Sequence, residues 1–85
     1  MYTNIKYSKG DSFHIQNNEY SSNGFYANQR VTIIDEADPR TVPGSSQALL
    51  CSITKPNSED LLSQELLLGN AFITELLDKN VFQKL

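Results

Sequence analysis

Apolar and polar residues alternate along the first half of the chain in the two-residue period of half-buried strands. Tyr2 to Tyr7 alternates loosely and is followed by turn chemistry at Ser8-Lys9-Gly10-Asp11. Ser12 to Gln16 places Phe13 and Ile15 on one face, Ser12 and His14 on the other, which predicts a short strand. A polar stretch, Asn17 to Gly24, ends in Asn23-Gly24, a pair that favours a tight hairpin. Phe25 to Asp35 is the strongest strand signal: Val31, Thr32, Ile33 and Ile34 are all β-branched and suit a pleated sheet better than a helix. Asp35 to Ser46 carries Pro39, Pro43 and Gly44 and is expected to be a loop. Gln47 to Thr54 is expected to form another strand, stopped by Lys55-Pro56-Asn57.

The pattern then changes period. Ser58, with Glu59 and Asp60 behind it, resembles a helix N-terminus. At 100° per residue, Leu61, Leu62, Leu66, Leu68, Phe72, Ile73, Leu76 and Leu77 sweep an apolar arc of about 180°. A helix from Ser58 to Lys79 follows, about 33 Å long. Its arc is wider than the stripe a surface helix needs. Either a curved sheet cradles it, or one flank packs on the sheet and the other, through Leu62, Leu66, Gly69, Ile73 and Leu77, on a second subunit. Glu65 falls inside that arc, as a group reaching solvent or as a buried carboxylate wanting Arg30 or a Lys. The expected fold class is therefore α+β. Residues 1–85 form a single domain, with a β-rich part over 1–54 and an amphipathic helix over 58–79. A small, mostly antiparallel sheet or half-open barrel of about four strands lies under one long C-terminal helix.

Charge narrows the functional classes. The net charge is −3: +1 over residues 1–34, −4 over 35–65 and zero over 66–85. No basic stripe exists to neutralise phosphates, so nucleic acid is a disfavoured partner. One cysteine, Cys51, rules out an intramolecular disulfide and a multi-cysteine zinc site. The apolar runs are too short to span a bilayer, and the opening Met1-Tyr2-Thr3-Asn4-Ile5-Lys6 lacks a leader's apolar segment. Together with the free thiol, these features predict a cytoplasmic protein with no membrane contact.

Catalytic chemistry is poorly supplied. Val31-Thr32-Ile33-Ile34-Asp35-Glu36-Ala37-Asp38 resembles the magnesium-binding strand of DEAD-box helicases, where the first acid holds Mg²⁺ and the second positions water. The likeness covers eight residues, no phosphate-binding loop accompanies it, and a helicase core is several times longer than this chain. Asp35, Glu36 and Asp38 are accordingly read as a solvated acidic loop, and no metal site is expected. His14 and Cys51 are the one conventional base–nucleophile pair, without an orienting group or oxyanion site, so no catalytic residue and no cofactor is assigned.

What remains is binding. Tyr20-Ser21-Ser22-Asn23-Gly24-Phe25-Tyr26-Ala27-Asn28-Gln29-Arg30 has the composition of binding loops, and Tyr20, Asn23, Tyr26, Asn28 and Arg30 are the expected partner-contacting residues. The favoured function is a small acidic non-enzymatic module acting by protein–protein contact, as an inhibitor, adaptor or immunity-type protein of the size common among phage products. It is expected to self-associate as a homodimer or higher homo-oligomer through its helix. The alternative is an oligomeric binder of an anion or nucleotide, held between subunits by Arg30, Arg40, Ser45 and Ser46.

Overall fold

The computed structural model describes residues 5–85. Five strands form one open antiparallel sheet: β1 (Ser12–Ile15), β2 (Arg30–Ala37), β3 (Ala48–Ile53), β4 (Leu66–Gly69) and β5 (Phe82–Lys84), in the order β4-β3-β2-β1-β5. One helix, α1 (Asn70–Asp78), links the two edge strands, β4 and β5. The α+β class holds, with five strands in place of about four and an open sheet rather than a barrel. Among the described residues, no helix is long and apolar enough to cross a membrane.

The alternation read from the sequence sets the two sheet faces. Phe13, Ile15, Val31, Ile33, Leu49, Cys51, Ile53 and Leu68 are buried on one face. Ile73 and Leu76 of α1 join the same core. Rings fill it closely: Phe13 stacks on Phe82 with centroids 5.4 Å apart, and Phe25 meets Phe82 edge to face at 5.7 Å. The opposite face carries His14, Arg30, Thr32, Ser52, Leu50 and Leu67. A bulge at Ile33–Asp35 lets β2 run on to Ala37, two residues past the expected strand end at Asp35. Asp38 then caps a 3₁₀ turn at Pro39–Thr41.

The C-terminal half departs most from the sequence pattern. The expected 58–79 helix is instead a nine-residue helix over Asn70–Asp78, about 14 Å long, preceded by a strand. Leu66 to Gly69 pair with Cys51 to Ala48, so the three consecutive leucines alternate between faces. A short apolar run suits either period, and the open edge of β3 decided the matter. Gly69 is extended at φ −81°, ψ 150° and closes the strand. The segment 58–65 is not helical, and Leu61, Leu62 and Glu65 are exposed there. β5 had no signal in the sequence: three residues are too few for a period, and its place is fixed by pairing with β1.

Two loop expectations also change. The β1–β2 connection is a long loop, not a tight hairpin at Asn23-Gly24. Gly24 does take positive φ (91°), but as the end of a 3₁₀ turn at Ser21–Asn23. Phe25 leaves the strand to pack in the core, which delays β2 to Arg30. In the Tyr2–Tyr7 stretch, Tyr2 to Asn4 lie outside the described residues. Ile5 to Tyr7 are not in a strand and are tied down by side chains. Gln47 brackets Tyr7, accepting from its amide at 2.9 Å and donating to its carbonyl at 2.7 Å. Asn70, fully buried at the start of α1, accepts from the Gln47 amide and donates to the Ile5 carbonyl. The Tyr7 hydroxyl hydrogen-bonds that of Thr74, one turn along α1.

Candidate functional site

The loop from Gln16 to Gln29 is polar in sequence but closely held. Asn18 Oδ1 accepts from the Ala27 amide at 2.8 Å, and the Asn28 amide donates to the Ile15 carbonyl at 2.8 Å. Asn28 adopts φ 70°, a conformation asparagine tolerates better than most residues. Gln29 is buried. Its Oε1 accepts from the Tyr26 amide at 2.6 Å while its Nε2 donates to the Thr54 carbonyl at 2.9 Å. A buried amide satisfied at both ends fixes the Tyr26–Gln29 turn against the end of β3.

A second loop lies against this one. The Asn57 amide donates to the Asn28 carbonyl at 3.0 Å, and Arg30 pairs with Glu59 at 2.6 Å. The segment 55–60 that follows β3 is thereby coupled to the β1–β2 loop. Tyr26, 47% exposed, stands on the first of these loops, and Leu61, 59% exposed, directly follows the second in a bridge with Thr54.

The expected contact residues therefore have different fates. Tyr26, Asn23 and Asn28 are exposed, and Arg30 is half-buried in its ion pair. Tyr20 turns inward: its ring packs edge-on against Phe72 and its hydroxyl donates to Glu75 at 3.0 Å. Lys79 lies beside that cluster, where the Tyr20 hydroxyl, aided by the charge of Glu75, raises the ammonium pKa above the usual lysine value. Leu61 and Glu59 were expected in the helix, and Gln29 stood in the binding-loop segment without a role of its own. Pro56-Asn57 marked a turn, but nothing local showed where that turn docks.

The anion-binding set is dispersed within one chain. Arg30 begins β2 and Arg40 follows its far end, on the order of 25 Å away along eight residues of strand. Arg40 is held by Asp38, whose carboxyl it keeps below the usual range through a side-chain hydrogen bond. Ser45 and Ser46 lie beside Gly69 and Asn70, also away from Arg30. Of the helix-flank residues, Ile73 is buried in the chain's own core, Gly69 is buried against Ser45 and Val42, Leu66 and Leu77 are half-buried and Leu62 is exposed.

The catalytic candidates do not meet. Cys51 is fully buried on the core face of β3, where burial pushes its thiol pKa up to about 12. His14 is on the other face of β1, with β2 between them. No group of three or more His, Cys, Asp or Glu side chains among the described residues is placed to hold a metal ion.

No protein-family model, curated protein or solved structure matches the chain.

Proposed function

We propose that this chain is a non-enzymatic binding module of the cytoplasm that acts by contact with another protein, through the loop around Tyr26. The observation that carries this reading is a large aromatic side chain displayed on a turn that buried hydrogen bonds hold in place. An ordered loop loses little conformational entropy on binding, and tyrosine offers contact area with few rotamers to freeze. Asn23 and Asn28 supply adaptable hydrogen bonds on the same loop. Arg30 and Glu59 supply charge beside it, and Leu61 adds apolar area from the neighbouring loop. An apolar centre with a polar rim is the usual make-up of such surfaces. The acidic balance, with −4 over residues 35–65, favours a partner with a basic surface.

Affinity capture from the source cell, followed by binding measurements with the captured protein, tests the reading. Tyr26→Ala is expected to weaken binding at least tenfold while the melting temperature stays within a degree or two. Retention of full affinity by both Tyr26→Ala and Asn28→Ala overturns it.

A further inference from the structure

We infer that β4 pairs with β4 of a second copy of this chain, joining two sheets into one of ten strands. The edges of the sheet are treated differently. The β5 edge is three residues long and polar, with Gln83 and Lys84, the kind of edge that resists pairing. The β4 edge is Leu66-Leu67-Leu68-Gly69, with no charge and no proline, and Leu67 is 41% exposed.

Ladder alternation shows which backbone groups are open. The Asn70 amide donates to the Gln47 carbonyl at 3.0 Å, so these residues form a hydrogen-bonded pair in the β3–β4 register. Alternation in an antiparallel ladder then makes Leu68–Leu49 and Leu66–Cys51 hydrogen-bonded pairs and Leu67–Leu50 a non-bonded one. The amide and carbonyl of Leu67 point away from β3, towards the open edge.

A second copy fits that edge for three reasons. First, a twofold axis perpendicular to the sheet at Leu67 lets the residue exchange both of its outward hydrogen bonds with its own counterpart, an isologous contact. Second, Leu50 lies opposite Leu67 on the outer face, so the pairing extends a row of two leucines into one of four across the joined sheets. Third, Leu66 to Gly69 carry no charge, so the twofold brings no like charges together within the paired strands. This self-association uses the strand edge rather than a helix flank, and it is separate from the Tyr26 surface.

Native mass spectrometry and light scattering of the full chain test the inference. The wild type is expected at twice 9.6 kDa. Leu67→Lys puts a charge at the centre of the joint, and Leu67→Pro removes the outward N–H without costing a bond to β3. Both are expected to be monomers, with circular dichroism confirming that each is folded. In the cross-link test, Leu67→Cys is expected to give a disulfide-linked dimer under mild oxidation, since bonded antiparallel partners have Cα atoms about 5.5 Å apart. Tyr26→Cys, on the loop, is expected not to. A wild type that stays monomeric at millimolar concentration overturns the inference. So does a dimer that survives Leu67→Lys, which also decides the case if Leu67→Pro fails to fold. Partner capture is expected to be unchanged in Leu67→Lys, so the dimer and the Tyr26 surface stand or fall separately.

Discussion

Gln29 and Thr54 interlock at the point where β2 begins and β3 ends. The Gln29 side chain donates to the Thr54 carbonyl at 2.9 Å, and the Thr54 hydroxyl accepts from the next amide, that of Arg30, at 2.8 Å. Both side chains are buried, and both hold a strand end and the binding loop in one arrangement.

Removing that lock is expected to damage stability and display together. Gln29→Ala leaves the Tyr26 amide and the Thr54 carbonyl without their partner, a loss of about 2–3 kcal/mol. Urea denaturation measures the loss, and amide exchange at Tyr26 is expected to quicken. A change under 0.5 kcal/mol would mean that the loop orders itself by other means.

Gly69 offers a test of sign. In the middle of an exposed helix, Gly→Ala stabilises by about 1 kcal/mol. Here a Cβ at Gly69 would collide with the Ser45 hydroxyl and come within 2.8 Å of Ser45 Cβ and Val42 Cγ1. Gly69→Ala is therefore expected to destabilise by about 1–3 kcal/mol, with Ser45→Gly restoring part of the loss in the double variant. Thermal melts of the three variants read the sign directly.

The Asn70 side chain joins three segments by accepting from the Gln47 amide and donating to the Ile5 carbonyl and the Ser46 hydroxyl. Asn70→Ala is expected to cost about 2–4 kcal/mol, because alanine leaves the buried Gln47 amide unpaired. Limited proteolysis should then cut sooner near Tyr7, the residue that Gln47 holds. Equal cutting of the variant and wild type would separate the N-terminal segment from this network.

Burial of Cys51 gives a pH dependence. Its thiol has a pKa of about 12 when folded, against an ordinary value of 9.0. Between those values the folded chain keeps a proton that the unfolded chain releases. The thiol's stabilising contribution is thus complete below about pH 9 and declines as pH rises towards 12. Denaturation at pH 8 and pH 10.5 is expected to show a steeper fall for wild type than for Cys51→Val. A thiol reagent at pH 7.5 should react only as fast as the protein opens.

β1, β2 and β3 were legible because one buried and one open face imprint a two-residue period on the sequence. α1 was legible in Phe72, Ile73, Leu76 and Leu77, which keep the helical spacing inside the observed helix. Leu61 to Leu68 fit that spacing as well, yet the edge of β3 drew Leu66 to Gly69 into the sheet. Tyr26 and Asn28 were recognisable from composition, but the inward turn of Tyr20 depended on Phe72 and Glu75, more than fifty residues away. Gln29 gave no local signal at all. A glutamine that pins a turn looks like any other until its distant carbonyl is known.

The pairing of β5 with β1 has a consequence for how the sheet is completed. His14 sits opposite Gln83, and the Leu85 amide donates to the Ser12 carbonyl. The two strands are joined across about seventy residues of intervening chain, and closing so long a loop costs more entropy than pairing β2 with β3. Until β5 docks, Phe13 lacks the ring of Phe82, and an apolar strand edge stays open to neighbouring molecules. The outer seam of β1 is therefore where a partly folded molecule is most adhesive.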